Sequence, residues 1–307
     1  TPLYSSAASD VYKRQPESGV EMFFSPRTLV MAPKIDYELK FNKNVISVGV
    51  KHVEVSNRNV TDQFLFTPTS FKLDSIGSNS YKYVERITAL YGIYKLKYSE
   101  SINFEFGLRA EQWYTRGNQV VLNPALPPSE FNRNKLQLFP NLGGTWKISE
   151  AKNLSLQYSR RVQRPAYRSL LPFAFNVDPY NVWAGNPGLL PELSNNIELS
   201  YGILEGKLSF SASHFWSANR ITNSTLLRRN DTSRFSESSP INIASFRNTG
   251  LALNYSTDLK KWWSVNVFTN VFLSHFQTSI RNDYANNRRL SYTICLLYTS
   301  PSPRDRT

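Results

Sequence analysis

Over 307 residues the chain is 40% hydrophobic and 14% aromatic, and it carries a formal net charge of +13. No run approaches the roughly 18 apolar residues of a transmembrane helix. The basic excess comes without a basic helix, zinc-ligand spacing or RNA-binding signature, so nucleic acid is not expected as a partner.

In chain order, the two ends look foreign. Residues 1–15, TPLYSSAASDVYKRQ, and 295–307, CLLYTSPSPRDRT, resemble translated sequencing-adaptor tags. Neither shows helix or strand periodicity, so both are set aside as artefacts and expected to be disordered. On this reading the only cysteine, Cys295, belongs to the second tag. The span 16–294 then has no disulfide framework and no thiolate site, and it forms one domain.

From Lys34 the pattern is a meander of strands joined by alternately short and long connections. Lys34–Phe41 and Val45–Asn57 flank the turn Asn42-Lys43-Asn44. Lys82–Lys97 and Ile102–Thr115 flank Tyr98–Ser101, and Leu136–Ile148 and Leu154–Gln163 flank Glu150–Asn153. Asn196–Leu204 and Lys207–Trp216 flank Glu205-Gly206, Arg247–Thr257 and Trp262–Phe276 flank Asp258–Lys261, and a partial strand follows at Leu290–Ile294. The strands reach the 9–11 residues that cross a bilayer when tilted, and short turns opposite long loops is the layout of outer-membrane barrels. No helical stripe of useful length interrupts them.

The strand Ile102–Ala110 has the clearest alternation. Ile102, Phe104, Phe106, Leu108 and Ala110 fall on one face, and Glu105, Arg109 and Glu111 on the other. A period of two with one apolar face pins register. It predicts that Phe104, Phe106, Leu108, Leu208, Phe210, Val265 and Val267 share one sheet face, with Glu105, Arg109, Glu198, Ser211 and Asn266 on the other. In a barrel the charged row, Glu105, Arg109, Glu111 and Glu198, lines the lumen. Ile87–Leu96 is apolar on both faces and stays unassigned. Pro140 predicts a bulge or bend in its strand. Arg220, Arg228, Arg229 and Arg234 fall in one long loop, where they either meet acidic lipid headgroups or, the favoured reading, are solvated.

Between Leu154–Gln163 and Asn196–Leu204 lies a connection holding Pro165, Pro172, Pro179, Pro187 and Pro191. So many fixed φ angles and missing donors exclude helix and central strand. Its length nevertheless predicts an ordered, functional segment, with Phe173, Phe175, Tyr180 and Trp183 packed on the sheet rather than in solvent.

Chemistry for catalysis is lacking. His52, His214 and His275 stand far apart with no metal-ligand spacing, and His214 on an apolar row reads as an interfacial residue. No nucleophile-elbow serine and no glycine-rich phosphate loop is present. No enzyme activity, metal or cofactor is therefore expected.

The segment Tyr158–Tyr201 resembles the barrel domain of TonB-dependent outer-membrane receptors, in the outer-membrane β-barrel family common in Bacteroidetes. The likeness rests on Tyr158, Arg160, Arg161, Arg164 and Pro165, then Asp178, Pro179 and Tyr180, then Gly185, Asn186, Pro187, Leu189, Pro191 and Glu192. It implies an all-β fold, an antiparallel meander forming an open curved sheet that is part of a large transmembrane β-barrel. The implied function is uptake of a nutrient ligand across the outer membrane of a Gram-negative, Bacteroidetes-type cell. Implied partners are outer-membrane lipid, an unknown small ligand (siderophore, peptide, glycan or cobalamin), and the TonB complex acting through a plug that this stretch lacks. The alternative from the strand pattern is a secreted β-sandwich or jelly-roll binding module, which would pack two sheets face to face.

Overall fold

The computed structural model describes residues 19–178, 180–229, 234–260, 262–280 and 283–298. Fifteen strands form one sheet among these residues: β1 (Gly19–Met31), β2 (Lys34–Phe41), β3 (Asn44–Thr67), β4 (Ser70–Leu73), β5 (Asn79–Lys97), β6 (Ile102–Val121), β7 (Ser129–Ser149), β8 (Lys152–Gln163), β9 (Ala174–Asp178), β10 (Asn181–Ala184), β11 (Glu192–Ile203), β12 (Leu208–Arg229), β13 (Arg234–Lys260), β14 (Trp263–Ile280) and β15 (Asp283–Tyr298). The sheet runs β3-β5-β6-β7-β8-β11-β12-β13-β14-β15, with β1 and β2 each pairing with a different part of β3. No described ladder joins β1 or β2 to β14 or β15, so the sheet is open among the described residues. The described ladders are antiparallel, except for three residues of β10 that run parallel to β13. With every described strand in a single sheet, two sheets packed face to face are absent among the described residues, and the β-sandwich alternative does not hold.

Two compact units make up the chain. The first includes Val53–Ile87 and Trp113–Lys135. In it β1 pairs with β3 from Gly19↔Phe66 to Met31↔Glu54. Pro26 falls in β1, which stands at an edge of the described sheet, the place where a strand accepts proline. Tyr81, Tyr83 and Trp113 are fully buried, and Trp113 Nε1 donates to Glu85 Oε1 at 2.8 Å. The second unit holds Pro33–His52, Thr88–Gln112 and the chain from Leu136 onward.

Several strands outrun the sequence pattern. β12 and β13 extend to Arg229 and from Arg234, so Arg220 and Arg228 lie in a strand rather than in a loop. The ladder of β7 with β8 begins at Asn141, directly after Pro140, and its irregularity falls at Lys147/Ser149 rather than at the proline. The adaptor-like tail also needs correction: Cys295–Tyr298 continue β15, with Tyr298 opposite Val265 and Leu296 opposite Val267. Residues 1–15 and 299–307 lie outside the described residues.

The short turns are clamped by charge. Glu100, in the turn between β5 and β6, accepts Lys43 Nζ and Lys97 Nζ at 2.5 Å each. These hydrogen bonds, Lys43 first, hold its carboxyl down to about 2 from a usual 4.5. A depressed folded value stabilises above the unfolded pKa and is lost as pH falls from about 4.5 towards 2. An NMR titration of Glu100 is therefore expected to show a midpoint far below 4, and the double variant K43A/K97A to restore the usual range.

Candidate functional site

Register carries the apolar stripe across strand after strand. Trp146, Leu154, Tyr201, Phe210, Leu253, Thr269 and Ile294 are consecutive cross-strand partners from β7 to β15. Four residues further along the strands, Leu142, Tyr158, Ile197, His214, Thr249, Leu273 and Leu290 form a parallel row on the same face. Phe104 belongs to this face, since a Cβ on Gly144 would touch its ring at 3.4 Å. Leu208 and Val267 join through Tyr255, and Val265 and Phe106 follow by period two. In the isolated chain these side chains are exposed or partly exposed, with Leu199 and Phe210 exposed by nearly half.

The opposite face holds Gly143, Gln157, Glu198, Ser213 and Gly250 in one row. Glu105 sits over Gly143 and accepts Asn141 Nδ2 at 3.1 Å, and Glu198 accepts Ser200 Oγ at 3.1 Å. Ser211 and Asn266 share this face, as expected from their period. The unassigned Ile87–Leu96 resolves through its neighbours. Tyr91 donates to Asp36 Oδ1 and lies 5.6 Å from the Arg109 guanidinium, and Ile93 approaches Gly107, so they face the charged side. Leu90, Gly92 and Tyr94 face the apolar side, where Gly92 meets Val48. Lys34, Lys51, Tyr91, Arg109 and Arg161 line a recess of about 510 Å³ on the charged side.

Glu111 is the point where charges converge. Its carboxylate accepts from Arg109 Nε and from Arg164 Nη2, with side-chain exposures of 6% for Glu111, 39% for Arg109 and 16% for Arg164. The contact ties the end of β8, where the motif connection begins, to β6 across 53 positions of sequence. Alternation placed Glu111 in a lumenal row with Glu105. It could not show that Arg164 of the motif would complete the site, because that depends on how β7 sets β8 beside β6 in the sheet.

The motif connection is ordered by specific bonds. After a 3-10 turn at Tyr167–Leu170, β9 and β10 form a hairpin, with Phe175 and Trp183 packed 5.1 Å apart and the Arg168 guanidinium over both rings at 5.2 and 5.1 Å. Asp178 caps the hairpin, accepting the Tyr180 N–H at 2.8 Å and Asn181 Nδ2 at 2.7 Å. Phe173, Phe175 and Trp183 are half-buried, but Tyr180 is 70% exposed, contrary to expectation. Its carbonyl still serves the sheet by accepting the Ser236 N–H at 2.7 Å. Pro179 lies outside the described residues.

Asn186 is the hub of the Gly-Asn-Pro stretch. Its N–H donates to Ser169 O at 2.7 Å, Nδ2 to Pro240 O at 3.0 Å, and Oδ1 accepts the Gly188 N–H at 2.9 Å. Four residues on, Leu190 exchanges bonds of 2.8 and 2.9 Å with the Asn242 side chain, which also donates to Asn219 O at 2.7 Å. Leu170, Leu171 and Leu189 are buried beneath, with Pro165, Pro191 and Glu192. Gly185 passes so close to the backbone that a Cβ there would lie 2.2 Å from Leu171 O. The prolines thus rigidify a plate pinned to β13, at the end of the sheet where the long connections lie. The two adjacent arginines of the motif alternate along β8: Arg161 lines a recess with Glu105 and Asn141 on the charged face, and Arg160 pairs with Asn195 in the register of the apolar one. Each histidine bonds a nearby side chain, His52 to Thr88 and His214 to Thr249 at 2.8 Å, and His275 to Asn286 at 2.6 Å. Among the described residues no group of three His, Cys, Asp or Glu side chains could hold a metal.

Residues 26–302 match the family described as outer membrane protein beta-barrel. The chain belongs to this family. The match runs past Cys295, in line with the strand continuing there. Barrel structures share the fold at low identity. The copper transporter OprC aligns at 11% identity and a TM-score of 0.56, over 89% of this chain and 49% of that one. The ferric yersiniabactin uptake receptor FyuA from Yersinia pestis aligns at 11% and 0.50, over 92% and 48%. The Serratia marcescens hemophore receptor HasR, solved with its hemophore and heme, aligns at 12% and 0.51, over 92% and 63%. The chain spans about half the length of the first two. No curated protein matches it. As an outer-membrane barrel, the family places the chain in the outer membrane of a Gram-negative cell.

Proposed function

We propose that the chain is part of the barrel wall of a TonB-dependent receptor that takes up a nutrient ligand across the outer membrane. The observation that carries the reading is the unbroken division of the sheet from β6 to β15 into an exposed apolar face and a face bearing Glu105, Arg109, Glu111 and Glu198. Lipid satisfies the first face and a water-filled lumen the second. The motif plate supports a receptor rather than a bare pore, because it braces the long-connection end, where an external ligand arrives. The uptake and transport roles in the names of the similar structures support the same class. Siderophore, peptide, glycan and cobalamin are the ligand classes carried over from the motif's likeness. The TonB complex acts through a plug in this reading, and the motif's likeness supports a Bacteroidetes source. Binding and transport are assigned here, not catalysis.

The test is fractionation of cells producing the complete receptor. The protein is expected in the outer membrane, migrating faster on gels before boiling than after. Recovery in a soluble fraction, or migration insensitive to heat, contradicts the reading.

A further inference from the structure

On the charged face, β12, β13 and β14 carry three aromatic rings toward the end braced by the motif plate. Period two leads from Ser213 to Phe215 and Ser217 on β12, and from Gly250 to Asn248 and Phe246 on β13. Phe276 of β14 is the cross-strand partner of Phe246. The Phe246 ring lies 5.9 Å from that of Phe215 and 4.6 Å from that of Phe276. Arg220 covers this cluster, its guanidinium 3.9 Å from the centre of the Phe246 ring and 5.8 Å from that of Phe276. Counting by two from Ser213 would put Arg220 on the opposite face. Asn219 breaks the count, because its φ of 57° is left-handed, a conformation that Asn tolerates better than most residues. The Asn219 carbonyl accepts Asn242 Nδ2 at 2.7 Å, and the same Asn242 side chain holds Leu190 of the motif plate. The motif is thus tied to the residue that turns Arg220 onto the charged face.

From this geometry we infer that Arg220 captures a carboxylate of the imported ligand, whose apolar body lies against the phenylalanine cluster. Arg220 is half-buried and makes no hydrogen bond or ion pair among the described residues. The N–H donors of its guanidinium are therefore unmatched. Lying over the Phe246 ring holds the guanidinium plane by cation–π attraction and leaves its edge free. That edge matches a planar carboxylate in bidentate fashion. Ser217, the cross-strand partner of Phe246, is buried on the same face, and its Oγ has no partner. It leaves a second donor unmatched there. Glu192, one position beyond the Leu193↔Ala218 pair, is buried and forms no ion pair with Arg220. One guanidinium without an internal anion balances one negative charge, so a monocarboxylate fits better than a phosphate dianion. The three rings favour a ligand with an apolar group beside that carboxylate.

This inference rests on the receptor reading above, and the experiment separates the two. The complete receptor is extracted from outer membranes in detergent. Binding of phenylacetate, its neutral amide phenylacetamide and the more highly charged benzylphosphonate is measured by saturation-transfer NMR at mildly alkaline pH. Phenylacetate is expected to bind tighter than benzylphosphonate and at least about tenfold tighter than phenylacetamide, the gap that a hydrogen bond to a charged group produces. R220Q should weaken phenylacetate by about the same factor and erase the preference over the amide. R220K keeps the charge without the planar fork and should fall between. N242A, which frees the Asn219 carbonyl, should weaken phenylacetate selectively, as befits a positioning residue. R228Q removes a Glu237-paired arginine of the same hairpin and should leave binding unchanged. Heat-modifiable migration checks that each variant keeps its barrel. Equal binding of acid and amide, tighter binding of benzylphosphonate, equal weakening by R220Q and R228Q, or undiminished binding in folded R220Q or N242A would each overturn the inference. If R220Q does not fold, R220K decides, and binding equal to that of the unaltered receptor overturns it. Recovery of the protein in a soluble fraction overturns the receptor reading, and this inference with it. An outer-membrane barrel without carboxylate preference removes this inference alone.

Discussion

Replacing Glu111 by alanine is expected to cost about 3 kcal/mol of stability. The carboxylate is nearly inaccessible and stands between two guanidinium groups. Removing it takes the shared carboxylate from between two like charges, and breaking a buried ion pair from one side costs on the order of 3–5 kcal/mol. The lower end applies because Arg109 is 39% exposed and keeps some of its hydration. Arg164→Ala should cost more than Arg109→Ala, since Arg164 is the more deeply placed partner. Denaturant unfolding of the chain refolded in detergent measures these losses. A double-mutant cycle of E111A and R164A should show strong non-additivity, because each single change already removes the contact between the two groups. Independent, additive losses would mean that the contact does not hold β6 to the motif.

Gly185→Ala is expected to disrupt the motif plate. Its Cβ would sit 2.2 Å from Leu171 O and 2.8 Å from Leu171 N, both backbone atoms that cannot rotate away. Overpacking of this kind costs about 1–3 kcal/mol, and here it should lift the Gly-Asn-Pro stretch from its bonds to β13. The readout is protease sensitivity within 164–191, with stability measured alongside. Gly206→Ala is the control: its φ of +86° brings strain in the turn, but nothing lies within 4 Å of the new Cβ. It should cost about 1 kcal/mol and leave the motif connection protected. Equal protease sensitivity in the two variants would remove the special role given to Gly185.

How much of this was legible in sequence follows from where alternation survives. Ile102–Ala110 alternates cleanly because one side meets an apolar environment and the other a polar one, so its faces could be assigned by counting. The upper parts of β12 and β13 were missed because both of their faces are polar, and a strand without an apolar row has no period to detect. Ile87–Leu96 failed in the opposite way. Tyr91 and Ile93 stand on the charged face, where only contacts with Asp36, Arg109 and Gly107 identify their side. β1 escaped notice because Ser25-Pro26-Arg27 interrupts its pattern, although an edge strand accepts a proline. Cys295–Tyr298 was dismissed on its resemblance to a tag, yet Leu296 and Tyr298 continue the apolar row of β14. For the site, the motif residues were identifiable as a run of types. Their partners were not, since Arg164–Glu111 and Asn186–Pro240 join positions more than 50 apart.

The central claim is that one face of this sheet meets lipid and the other water. Nitroxide labels placed singly at 197, 198, 199, 200 and 201 of β11, with Cys295 replaced by serine and the protein in its membrane, test it directly. Accessibility to oxygen should peak at Ile197, Leu199 and Tyr201, and accessibility to a water-soluble nickel chelate at Glu198 and Ser200. Loss of the alternation, or the same alternation with the two reagents exchanged, would contradict the account.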